Sequence, residues 1–277
     1  MLKPLLAFLA LSALAPLQAE PAPDPACPQG DLAVPRGPDT VCIGRRGEGY
    51  AFSFIYPRAA TESPALEARL LAEAATAQAW IETNAIRFRA ERGAEGSEAP
   101  PLAYEAGWRI DARTPELVAA SGTISHYTGG AHGGIEYRTV LIDRRRDREI
   151  RLDDIFELGP FEYSAFGHMP RGIGAVQAGF CRVLTAEVRE RRNDPAGVIE
   201  CPPIETQPVT FLCGERGRIS AMRVLLQPYV VGSWAEGPYE VDVPIDARMM
   251  ASIKPRYRAA FGLARETRAR IPARPCR

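Results

Sequence analysis

Two of the three histidines in this chain, His126 and His132, fall within residues 125–134, together with Gly129, Gly130, Gly133 and Gly134, and Glu136 follows closely. Imidazole transfers protons near neutral pH and binds divalent metals, and glycine lets a backbone approach a ligand closely. Ser125 beside His126 raises nucleophilic hydrolysis, and His126, His132 and Glu136 together raise a metal-dependent hydrolase. The nucleophile reading lacks its Gly-x-Ser-x-Gly elbow, and neighbours on a strand point to opposite faces, so Ser125 and His126 diverge. The two histidines are six residues apart, a spacing that matches no compact ligand motif, and the third, His168, lies in a separate irregular segment. The loop therefore reads as a hairpin connection suited to binding. We expect no catalytic group, metal or cofactor, and keep the metal-dependent hydrolase as the alternative.

Other charged groupings have structural explanations. Asp153 and Asp154 suit the start of a helix, one as cap and the other against the positive end of the dipole. The run Arg144, Arg145, Arg146 is broken by Asp147 and suits a solvated hairpin tip.

The elements that must position the loop follow from periodicity. Leu102, Tyr104, Ala106, Trp108 and Ile110 alternate along a strand, residues 117–127 form a second and residues 135–143 a third. A charged turn and a strand over 149–152 complete a hairpin. Residues 50–57 alternate aromatic and small side chains as a strand. Residues 64–92 predict a long helix, with Ser63 as N-cap, Pro64 at the first position and the acidic Glu67 in the first turn. Its Leu66, Leu70, Ala74, Ala77, Ile81 and Phe88 share one face, and Trp80 widens it. Residues 172–192 predict a second helix with an apolar stripe that Cys181 adjoins. Strands near 209–213, 221–226 and 240–245 and a terminal helix over 246–263 follow. Between the last strands, residues 227–239 form a second glycine-bearing loop carrying Tyr229, Trp234 and Tyr239. The fold class is α+β, with antiparallel β-sheets packed by long α-helices.

The chain has 277 residues, 46% hydrophobic and 25% charged, enough for an ordinary core in one large domain or two small ones. Its 34 basic and 34 acidic residues balance, so no overall excess points to nucleic acid. Lys3, a ten-residue apolar run and Ala19 read as a secretory signal over residues 1–19, too short to span a membrane. No later run reaches spanning length, so no integral membrane segment is expected in the mature chain. All six cysteines (Cys27, Cys42, Cys181, Cys201, Cys213 and Cys276) follow the cut, an even number in an oxidising compartment that implies disulfides of undetermined pairing. Arginine far outnumbers lysine, which reflects genomic base composition. With the signal, it places the protein in the bacterial periplasm or outside the cell.

Residues 127–134 (Tyr-Thr-Gly-Gly-Ala-His-Gly-Gly), residues 150–156 (Ile-Arg-Leu-Asp-Asp-Ile-Phe) and residues 228–244, from Pro228-Tyr229 through Gly237-Pro238-Tyr239 to Pro244, occur in that order. Together they resemble the RsiV-type exported domain, also found beside the catalytic domain of PdaC-like peptidoglycan deacetylases. The similarity covers roughly residues 48–256. It implies an α+β fold and, for function, a module that binds lysozyme in the RsiV anti-sigma factor and is accessory in the deacetylases. The sequence shows no cytoplasmic anti-sigma segment and no deacetylase domain.

The expected organisation is a signal at 1–19, a Pro/Gly-rich arm at 20–47, α+β parts at 48–133 (PdaC-like) and 134–256 (RsiV-like), and a basic tail at 257–277. Whether the two parts form one unit is left open. The expected function is non-catalytic binding of an envelope protein, c-type lysozyme being the named case, or of peptidoglycan. The contact residues would be His126, Tyr127, Gly129, Gly130, His132, Tyr229, Trp234 and Tyr239. A purely structural periplasmic protein is the remaining reading.

Overall fold

The computed structural model describes residues 30–35, 39–92, 100–158, 174–214 and 217–264. The expected signal, Cys27, His168, Cys276 and most of the basic tail lie outside these residues.

Two layers of sheet organise the chain. The larger has seven strands in sequence order: β1 (Gly30–Pro35), β2 (Thr40–Gly47), β3 (Tyr50–Pro57), β4 (Leu102–Arg113), β5 (Leu117–Tyr127), β6 (Gly134–Asp143) and β7 (Arg148–Ile150). Part of the segment expected as an extended Pro/Gly-rich arm is thus sheet. β2 pairs antiparallel with β3 along all eight of its residues, because an adjoining strand edge supplies hydrogen bonds that composition does not reveal. The sheet is antiparallel except at β3/β4, where the 29-residue helix α1 (Pro64–Arg92) returns the chain and makes the pair parallel. β5 and β6 pair across the boundary drawn at 133/134, so both expected parts contribute to one sheet.

α1 covers one face of this sheet. Leu66, Leu70, Ala74, Ala77 and Ile81 are buried against Phe52, Phe54, Tyr56, Tyr104 and Trp108, as the helical and two-residue periods require. Trp80, expected to widen the apolar face, is 41% exposed and lies edge-on to Tyr104 and His126. The helix start is held from afar. Asp147 accepts from Ser63 Oγ at 2.8 Å and from the Ala65 amide at 3.1 Å, satisfying helix donors from the β6–β7 turn. The charged turn is solvent-exposed, as expected, and Arg144 and Arg145 also bond to Thr114 and Glu116 of the neighbouring turn.

A β-bulge at Asp111 joins the two cores. The register shifts between Ile110 and Ala112, which turns Ala112 to the opposite face and buries the Asp111 carboxylate. That carboxylate accepts from Arg109 Nε at 2.6 Å and from Thr210 Oγ1 at 2.7 Å on the second sheet. Ala112, Leu117, Ala119, Leu141 and Ile150 pack there with the second sheet and its helices.

The second sheet has the order β10-β9-β8, all antiparallel, from β8 (Val209–Cys213), β9 (Ile219–Leu226) and β10 (Tyr239–Pro244). Before it come the one-turn helix α2 (Leu152–Ile155) and helix α3 (Ala175–Arg192). The stripe Val176, Phe180, Leu184 and Val188 of α3 is fully buried in the second core. Cys181 bonds to Cys201, tying α3 to the link that follows it. Cys42 and Cys213 each take part in a disulfide as well, and no described cysteine is free. The expected terminal helix divides into α4 (Ala247–Ser252) and a 3-10 turn, Pro255–Ala260, because Pro255 offers no amide to continue the helix.

Candidate functional site

The loop between β5 and β6 is shaped by what lies over its glycines. At Gly129, where φ is +90°, an added Cβ would lie 2.3 Å from the Phe88 ring of α1. At Gly134 it would lie 2.3 Å from His126 Nε2. Only a residue without a side chain lets these rings close on the backbone. Gly130 is exposed and unconstrained by neighbouring side chains.

The two histidines part company here. His126 alternates with Ile124 toward α1, where its ring meets Trp80 edge-on at 6.2 Å and its Nδ1 is 3.9 Å from Glu136 Oε1. Ser125 and Tyr127 point to the other face by the same alternation. Near His126 a line of charge runs inward. Arg138 contacts Glu136 at 3.2 Å and the buried Glu73 at 3.3 Å, and burial pushes the adjacent Tyr104 hydroxyl up to about 12. His132 instead lies exposed at the loop tip, its Nδ1–H donating to Gly133 O at 2.8 Å. Its ring stacks on Trp234 of the second loop, centroids 4.4 Å apart and planes 22° from parallel. The two glycine-bearing loops therefore meet on one surface. Among the described residues, no three His, Cys, Asp or Glu side chains are grouped to hold a metal ion.

The second loop is locked from below. Glu236 accepts from Arg192 Nε at 2.9 Å and Nη2 at 3.2 Å, from the Tyr239 hydroxyl at 2.7 Å and from the Ser233 amide at 3.2 Å. Arg192 foremost, then Tyr239 and the Ser233 amide, hold the Glu236 carboxyl down at about 2. Arg191 donates to Pro238 O at 2.9 Å and lies 3.7 Å over the Tyr239 ring. Tyr239 is 1% exposed, so it supports the loop from within the core and does not reach the surface. Arg191, Arg192 and Glu236 escaped the sequence reading. The arginines end a helix more than forty residues earlier in the chain, and no spacing links them to the loop.

Tyr229 is the anomaly of this loop. It occupies the third position of a turn closed by Val230 N to Gln227 O at 3.3 Å, with Pro228 before it and φ at +73°. Turns of this kind place Gly or Asn there, since a side chain collides with the backbone at positive φ. Yet the residue is tyrosine, 69% exposed, its ring 6.3 Å from Trp234 at 31°. His132, Trp234 and Tyr229 form a row of rings, the first two stacked and the third tilted by 31°.

No family model matches the chain, and no curated protein does. Solved structures do. A crystal structure of a DUF3298-family member from Bacteroides fragilis covers 80% of this chain and 95% of its own, with a TM-score of 0.52 and 16% identity. The chain shares that fold. A DUF3298-family protein from Pseudomonas aeruginosa covers 85% of this chain and 99% of its own, with a TM-score of 0.47 and 17% identity. At 16% identity the likeness to the Bacteroides fragilis structure speaks for the fold alone, and this fold is α+β, as its two sheets and packed helices show.

Proposed function

We propose that this chain is an exported, non-catalytic binding domain of the bacterial cell envelope, with the ring row of His132, Trp234 and Tyr229 as its contact surface. Tyr229 carries the reading. A large side chain at positive φ costs about 1–3 kcal/mol, and at 69% exposure its ring returns little of that by burial. Strain of this kind persists where surrounding structure imposes it and function uses it. The lock of Arg191, Arg192 and Glu236 supplies the imposition, and the exposed ring beside Trp234 is suited to a partner. The secretory signal supports export, and the RsiV-type resemblance supports an envelope ligand. Gly129 and Gly130 shape the first loop beside the row, and His126 and Tyr127 anchor its base.

Calorimetric titration of the mature protein with c-type lysozyme and with soluble peptidoglycan fragments tests this. One of the two should bind, and Tyr229→Ala and Trp234→Ala should each weaken it by about tenfold or more. If neither ligand binds at about 100 μM, both partners are eliminated.

A further inference from the structure

The ligand class of this surface is readable from what the two loops lack. Apart from His132 and Tyr229, the only ionisable residue in segments 128–133 and 227–238 is Glu236. Its carboxylate is consumed by Arg192, Tyr239 and the Ser233 amide. The cations that reach the loop are likewise engaged, Arg191 by Glu236 O and Pro238 O, and Arg192 by Glu236 and by Val231 O at 3.0 Å. Within the two loops themselves, then, no carboxylate or guanidinium lacks a partner, and the exposed Arg191 and Arg192 at the end of α3 are already engaged. A strongly charged protein partner would require opposite charge there, because long-range steering and pairing depend on it. What remains is the indole of Trp234, with His132 stacked on one of its faces and the Tyr229 ring 6.3 Å away at 31°, and the exposed hydroxyl or amide side chains of Thr128, Ser233 and Gln227.

We propose that this surface binds a glycan chain, the apolar faces of neutral pyranose rings stacking on Tyr229 and Trp234 while hydroxyl and N-acetyl groups meet the polar rim. Pyranoses present a flat C–H face and a polar edge, which suits the exposed Tyr229 ring beside Trp234 with hydroxyl and amide side chains on the same loops. The rigidity of the loop adds to this, since a platform already fixed by Arg191 and Arg192 loses little conformational entropy on binding. The inference rests on the binding-domain reading and narrows it to sugar.

The experiment uses the mature protein and β-linked N-acetylglucosamine oligosaccharides, followed by tryptophan emission and by calorimetry, with c-type lysozyme titrated in parallel. The oligosaccharide should bind with an affinity that changes less than about twofold between low and high salt, since screening weakens only charge-driven contacts. Trp234→Ala and Tyr229→Ala should each lose about tenfold or more, while Trp234→Phe, which keeps a ring, should stay within about threefold. Circular dichroism and melting temperature establish that each variant is folded. Oligosaccharide that fails to bind at millimolar concentration, or that binds folded Trp234→Ala as well as the parent, overturns the glycan inference. Should lysozyme bind and lose affinity in Trp234→Ala while the sugar does not bind, the glycan inference falls and the binding-domain reading stands. If neither ligand binds, both fall.

Discussion

Tyr229 shows how a residue can be plain in sequence and unusual in structure. Pro228 announces a turn, since its fixed φ suits the second position. Nothing in the letters announces that the tyrosine takes φ of +73°, because residue preference alone assigns that place to glycine or asparagine. The exposed ring leads to a stability prediction opposite to the usual one. Tyr229→Gly should leave the fold as stable as the parent or more stable by up to about 1 kcal/mol, relief of strain outweighing the extra freedom of an unfolded glycine. Urea unfolding measures it. A loss above about 1 kcal/mol would mean that the ring holds the fold together and that its strain is no mark of function. The histidines were partly legible at this scale. Strand alternation separates His126 from Ser125, but the stacking of His132 on Trp234 joins residues about a hundred positions apart, and no local period reaches that far.

Among the elements, α1 was legible from its first residue to its last, because apolar residues at helical spacing and Ser63-Pro64 mark both its face and its start. Its long-range cap from Asp147 was not, since the two sites meet only after the hairpin folds onto the helix. The loop over 227–238 depends in the same way on α3, and its lock gives it a pH dependence. Glu236 has its carboxyl depressed from 4.5 to about 2, so its contribution is complete above 4.5 and is lost as pH falls through about 2. Emission attributable to Trp234, obtained by difference from Trp234→Phe, should shift over that acid range. In Glu236→Gln the transition should vanish and the loop should already be loosened at neutral pH. An unchanged acid transition in Glu236→Gln would show that another group governs it.

For the whole molecule, the two sheets are joined by contacts that secondary structure does not foretell. Asp111 receives Thr210 across the interface, and the Tyr257 hydroxyl donates to Asp143 Oδ2 at 2.9 Å. The Cys181–Cys201 bond closes a loop with a sequence separation of 20 between α3 and the link that follows it. Replacing both cysteines with alanine should cost about 3 kcal/mol in denaturant unfolding, because the unfolded chain regains the freedom that the crosslink removes. A cost below about 1 kcal/mol would place the stability of α3 in its buried stripe and Gln177 contacts instead.

The sequence by itself determined the α+β class, the core face of each long element and the two glycine-bearing loops, because periods of two and of 3.6 residues and turn chemistry act over short distances. It did not determine the parallel β3/β4 pair, the sheet pairing of the supposed arm or the early end of the terminal helix as one element. Above all, it named the loop of His126 and His132 without showing which histidine faces outward. Only the tertiary structure decided that His132, Trp234 and Tyr229 stand together while His126 and Tyr239 turn inward. The reason is physical: hydrogen-bond lattices, caps and ring contacts between distant segments form only when hydrophobic burial has brought those segments together.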